Sequence, residues 1–263
     1  MTYLQAFIIA IIEGITEFLP VSSTGHMILA SSLMDIKDKA FADTFEIVIQ
    51  LGAILSVLVL YYKRFLVGID IYLKLFVAFL PTAVVGLLAY KTIKAHLFNP
   101  YVVSVSLIVG GVILILLDKW SAQKESVYET TSDISFIDAL KIGAIQCFSM
   151  IPGVSRSAAT IFGGVFAGFN RKQAAEFSFL LAIPTMFVAS AKDLYENKDA
   201  ITQSNMMLLI FGSVIAFIVA LIAVKAFVQY LTKHGFKMFG YYRIIIGLVF
   251  LAYALFTGLQ LHA

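Results

Sequence analysis

Glu13 and Glu17 stand four residues apart, one turn along the same face of a helix, and Ser22, Ser23, Thr24 and His26 follow at once. Two carboxylates, three hydroxyls and an imidazole can hold a cation, activate a hydroxyl and move protons. Far along the chain a second set, PGVSRSAAT at 152–160, offers Arg156 flanked by Ser155 and Ser157, with Thr160 one turn later. A guanidinium fork matches phosphate oxygens, and a helix N-terminus with free amides favours anions. The two sets together set acids against a phosphate cradle. Acids repel a bare phosphate unless a cation reverses the local sign, and Mg2+ commonly binds through one or two carboxylates plus substrate phosphates and waters. On this reading Glu13 and Glu17 are metal ligands, and Ser23 is a nucleophile with His26 as its general base or acid. Ser22, Thr24, Ser155, Ser157 and Thr160 are the phosphate-binding hydroxyls. Plainer roles stay open: Arg156 pairing with a first-half glutamate to hold the bundle, His26 as a hydrogen-bonded helix-start residue, Ser23 as a cap or phosphate ligand with water attacking. Hydroxyls such as Ser178 and Thr185 read as bonded back to their own helix.

The elements that must position these groups belong to a membrane protein. With 60% hydrophobic residues, 13% charged residues and a mean hydropathy of +0.93, the chain is far greasier than a soluble domain. A glutamate near the centre of a bilayer costs roughly 2.5–3.5 kcal/mol, so acids at that depth face a cavity, a partner or a metal. The formal net charge of +3 is scattered through short connections, which argues against nucleic-acid binding. Cys147 is the one cysteine, so no internal disulfide forms, and it reads as a small buried hydrophobe. The N-terminus lacks the basic region of a cleaved signal peptide.

Tyr3 to Ile12 is apolar for too short a stretch to span a bilayer, and residues 27–34 are shorter still. Residues 3–34 therefore read as two half-helices that dip into the membrane and return, broken near Pro20, with Pro20 to Gly25 at the tip. Long apolar runs at about 45–62, 75–90 and 101–117 follow, each bounded by charge. A polar linker at 119–135 comes next. The plan then repeats: a short stretch at 136–151, Pro152 and the second motif, a short piece to about 169, and long runs at about 176–191, 206–232 and 243–259. Pro20 pairs with Pro152, and Glu46 with Glu176. The expected fold is a single all-α integral membrane domain over 1–263: repeat one at about 1–118, repeat two at about 136–263, six transmembrane helices and two re-entrant hairpins. An odd number of crossings per repeat inverts the second copy and places a site at the midplane. One side carries Lys63, Arg64, Lys74, Lys119, Lys124, Lys141, Arg171, Lys172, Lys233 and Lys237; the other carries Lys37, Lys39, Lys91, Lys94, Lys192 and Lys198. The richer side is cytoplasmic by the positive-inside rule, so both termini and the first hairpin's mouth face outward. Tyr61, Tyr62, Trp120, Tyr241 and Tyr242 read as interfacial anchors.

EGITEFLPVSSTGH at 13–26, PGVSRSAAT at 152–160, FEIVIQLGA and EFSFLLAIP together resemble the bacterial undecaprenyl-diphosphate phosphatase family, also called bacitracin-resistance proteins. The likeness covers essentially the whole chain. It implies removal of one phosphate from a C55 isoprenoid diphosphate carrier, and so recycling of that carrier for cell-wall synthesis. The reaction would take place at the outer face of the bacterial inner membrane and depend on Mg2+ or Ca2+. The family's acid pair falls on Glu13 and Glu17, its serine on Ser23, its histidine on His26 and its essential arginine on Arg156. Ala158 stands where the family commonly has glycine, which bears on packing near the cradle rather than on chemistry. Type 2 phosphatidic acid phosphatases share a Ser-Arg pair, but their Arg-Pro motif and suitably placed histidine have no match here. The competing function is a lipid-phosphate transporter or flippase with the same midplane site. The expected partners are a polyprenyl diphosphate and membrane lipid; whether the chain forms a homodimer is left open.

Overall fold

The computed structural model describes the chain except residues 35, 37, 67, 123–124, 198–200, 204 and 258–263, and gives only the backbone at Lys39, Tyr90 and Lys94. Lys37, Lys124 and Lys198 of the orientation argument thus lie outside the described residues. Among the described residues there are ten α-helices: α1 (Tyr3–Thr16), α2 (Ser23–Leu33), α3 (Lys39–Tyr61), α4 (Asp70–Leu97), α5 (Pro100–Ser121), α6 (Phe136–Gln146), α7 (Arg156–Phe166), α8 (Arg171–Glu196), α9 (Met206–His234) and α10 (Lys237–Thr257). Among the described residues, the six long helices α3, α4, α5, α8, α9 and α10 carry segments long and apolar enough to cross a membrane. The helices outrun the apolar stretches seen in sequence, because charged residues such as Asp70, Arg171 and Lys237 continue the helical turns at their ends.

The remaining four helices hold 14, 11, 11 and 11 residues. At about 1.5 Å per residue none reaches across a hydrocarbon core of about 30 Å. They pack as two pairs, α1 with α2 and α6 with α7. The halves exchange partners: α1 lies against α9 of the second half and α6 against α4 of the first, while α5 packs on α10 and α3 on α8. Glycines set these contacts. A methyl group on Gly14 would come within 2.9 Å of the Ala216 carbonyl of α9, and one on Gly143 would run into the Ala78 carbonyl of α4. Along α5 and α10, Gly111 and Gly240 face each other's carbonyl oxygens at 2.6 and 2.7 Å from where a Cβ would stand. Where lipid removes the hydrophobic drive between helices, such close backbone approach supplies the van der Waals contact that holds them.

The polar linker begins after α5 and is pinned to the bundle. Thr130 and Asp133 form a reciprocal cap on a short 3-10 turn at Thr131–Asp133, and the hydrogen bond donated by the Thr130 amide holds the Asp133 carboxyl below its ordinary range. Gln173 donates to the carbonyls of Tyr128 and Glu129 at 2.9 and 3.0 Å, and Lys74 donates to the Ser132 carbonyl at 2.6 Å. Buried Thr131 bonds Glu176, which is paired with Arg64 at 2.6 Å. Cys147 differs from expectation: it is only half-buried, because the chain leaves α-helical geometry there for a 3-10 turn at Cys147–Met150.

Candidate active site

In both short-helix pairs the connecting turn passes through a serine with positive φ. Ser22 has φ +71° and Ser155 φ +75°, the two non-glycine residues with positive φ among those described. Such backbone costs of order 1–3 kcal/mol and persists only where the surroundings over-determine it. Each serine starts a helix, so Ser23 opens α2 and Arg156 opens α7. The two first helical residues, one from each half, thereby meet at Glu17.

Glu17 is the hub. Its Oε2 accepts the Ser23 hydroxyl at 2.5 Å, and its Oε1 accepts Arg156 Nη2 at 3.1 Å. Arg156 also donates from Nη1 to the Ser178 carbonyl at 3.0 Å, meets Met186 Sδ at 3.0 Å, and lies over the Phe18 ring at 5.7 Å. Glu13 lies fully buried one turn before Glu17. Among the described residues, the buried side-chain polar atoms without a hydrogen-bond partner are both oxygens of Glu13 and Nε of Arg156. A buried group left this way costs about 1–3 kcal/mol, and more if charged. Carboxylate oxygens suited to a cation and an N–H suited to an anion are thus both open at one centre.

The other expected residues divide into those that face this centre and those that build its walls. Ser22 is buried at the first turn, and Thr24 is half-buried beside it. His26 does not bond Ser23. Its Nδ1 lies 2.8 Å from the Ser22 carbonyl, which fixes Nδ1 as the donor, and its Nε2 lies 2.7 Å from the Tyr242 hydroxyl. Ser155 caps α7 by accepting from the Ala158 amide, Ser157 donates to the Phe18 carbonyl at 2.7 Å, and Thr160 donates to the Arg156 carbonyl of its own helix at 2.9 Å and shares a hydroxyl–hydroxyl bond of 2.6 Å with Ser178. Ser157 is therefore a stitch between the two turns. Ser178 does not bond back to its own helix, because α7 presents Thr160 to it; Thr185 does, to the Leu181 carbonyl at 2.8 Å. Tyr242 serves His26, and Tyr61 packs into the core beside Phe179, so neither is a simple interfacial anchor. Glu17 stands three residues after Gly14, which packs on α9, and Gln146 three residues after Gly143, which packs on α4. Gln146 is occupied by Thr82 and Thr185, and the second half has no matching acid there.

Arg243 is the residue that sequence reasoning passed over. It is completely buried in α10 and places all its N–H groups on backbone carbonyls: Leu107 and Ser106 of α5, Pro20 of the first turn, and Gly153 and Val154 of the second. The signal was an arginine more than a turn inside a span, which marks a functional or buried position. In the sequence it is the first residue of the apolar run at about 243–259, so its depth in the helix shows only once α10 is seen to start at Lys237.

A polytopic helical membrane protein with a serine–carboxylate–guanidinium centre buried between two strained turns is the class defined by this geometry. The chain belongs to the family described as bacitracin resistance protein BacA, whose model matches residues 6–249. A protein of Flavobacterium johnsoniae named undecaprenyl-diphosphatase is 54% identical over 95% of this chain and 96% of its own length. Proteins of the same name from Bdellovibrio bacteriovorus and Aquifex aeolicus are 51% and 48% identical, over 100% and 97% of this chain and 99% and 100% of theirs.

Proposed function

We propose that this chain hydrolyses undecaprenyl diphosphate to undecaprenyl phosphate and inorganic phosphate, at a site made of Glu13, Glu17, Ser23, His26 and Arg156. The observation that carries the reading is the pair of open buried groups, the Glu13 oxygens and Arg156 Nε, beside a serine already hydrogen-bonded to a carboxylate. Arg156 grips the diphosphate. In doing so it exchanges its single bond to Glu17 for phosphate oxygens, which leaves Glu17 freer to accept the Ser23 proton as Oγ attacks the terminal phosphorus. The bond from phosphorus to the bridging oxygen breaks, the lipid monophosphate leaves, and water releases phosphate from the serine. His26 fixes the Ser22 carbonyl. Lying three residues beyond Ser23 on α2, it is the second group of this turn able to exchange a proton.

The donor set suits a hard divalent cation. Among the described residues no three candidate ligands cluster, but Glu13 and Glu17 offer the one or two carboxylates that Mg2+ or Ca2+ takes together with phosphate oxygens and water. Bound there, the ion would neutralise charge developing on the phosphoryl group. Ser22, Thr24 and the α7 amides would line the phosphate pocket. The short helix pairs are read as re-entrant hairpins in an inverted repeat, supported by the exchange of α9 and α4 between halves. The charge bias of the connections supports outward-facing termini and an outward-facing first mouth in the bacterial inner membrane. A transporter would need the anion grip but not the Ser23–Glu17 pair.

Phosphate release by the purified protein tests the proposal. Ser23→Ala and Arg156→Ala should each lose at least about 100-fold in turnover while remaining folded; near-normal turnover in either would remove that residue from the site.

A further inference from the structure

An apolar groove of about 1120 Å3 opens on the surface between α3, α4 and α8, walled by Leu58, Phe65, Leu73, Phe76, Ile183 and Phe187. Among the described residues, every side chain lining it is apolar or a tyrosine. Its α8 wall adjoins the active site. Met186, whose Sδ lies 3.0 Å from Arg156 Nη2, sits about 60° around that helix from Ile183, at about 100° per residue, and directly before Phe187. One turn of α8 thus presents a contact to the guanidinium on its inner face and the groove wall on the next. Pro184, in the same turn, lines the groove and has no amide for the Leu180 carbonyl, a loosened point in the span between head site and groove.

We propose that this groove receives the polyisoprenoid tail of the diphosphate whose head is held at Arg156, an assignment that rests on the functional reading above. The head binds inside the protein, so its tail must leave through a wall, and the turn of α8 that touches Arg156 is the wall the groove shares. Tethering to a bound head gives this tail an effective concentration at the groove that loose lipid chains lack. Leu73, Phe76 and Phe187 are 46%, 55% and 61% exposed, so they are open to such a chain and tolerant of substitution.

The test compares the full-length protein on C55 and C5 isoprenyl diphosphates. Leu73→Trp and Ile183→Trp, which fill the groove, should raise KM for the C55 substrate at least tenfold while KM for the C5 substrate and both kcat values stay within about twofold. Unchanged C55 KM, or equal shifts for both substrates, would overturn the groove assignment. A C55 diphosphate bearing a diazirine at the tail end should label the segment around Leu73 and Phe76, with competition by unlabelled C55 diphosphate and not by phospholipid. Equal competition by phospholipid would make the groove an ordinary lipid contact. A wild-type protein that released phosphate from neither substrate would instead sink the reading of the site.

Discussion

Glu17 accepts from Ser23 and Arg156 at once, and its value as a proton acceptor depends on the second bond being exchangeable. Glu17→Gln keeps an oxygen for one of these partners but has no charge to take the proton. General-base loss commonly costs 10²–10⁴-fold, so kcat should fall at least about 100-fold while the substrate still binds. Comparable kcat in the variant would move the proton acceptor elsewhere. Glu13, buried with no donor, makes a second claim: chelation should abolish turnover, and Mg2+ or Ca2+ should restore it in the wild type but poorly in Glu13→Gln. Full turnover in chelator would remove the ion from the site. At this scale the sequence was highly legible. EGITEFLP and PGVSRSAAT named the groups that meet, since acids and an arginine in an apolar chain have few other uses. What it did not disclose was the pairing. Ser23 and His26 are close in sequence, yet the helical start at Ser23 turns its hydroxyl to Glu17, and the Ser22 carbonyl and Tyr242 claim the imidazole.

The two helix-breaking turns are held by α10 rather than by each other alone. Arg243 donates to Pro20 in one turn and to Gly153 and Val154 in the other, a clamp made of charged donors on neutral carbonyls. Bonds to charged groups contribute roughly 1.5–3 kcal/mol each, reduced where carbonyls find other donors, so Arg243→Leu should cost at least about 3 kcal/mol. At about 2–4 °C per kcal/mol for a chain of this size, thermal unfolding should drop by about 6–12 °C, with turnover falling as the turns lose register. Unaltered melting and activity would show that the turns hold themselves. Gly111→Leu should damage the α5–α10 contact that carries Arg243, because its side chain would meet the Gly240 carbonyl; an undiminished melting temperature would mean the helices can part at no cost.

Across the whole molecule, two halves with the same order of elements lend each other a helix, and the long polar linker lies fastened over α8 and α4. If the first mouth faces outward, a cysteine at Tyr3 in a Cys147→Ser background should react with an impermeant maleimide from outside intact cells. One at Glu129 should react only after the inner face is opened, and the reverse pattern would invert the topology. The sequence by itself determined the class, the six spans, the two interrupted short pairs and the residues able to do chemistry. Apolar length, prolines and buried charge are local properties that a chain cannot hide. Only the tertiary structure decided who faces whom: Glu17 with both Ser23 and Arg156, Arg243 with both turns, Tyr242 with His26. Those contacts join residues from 89 to 223 positions apart, or turn on a single serine's backbone angle, and depend on helix packing set by glycines whose partners lie in the other half.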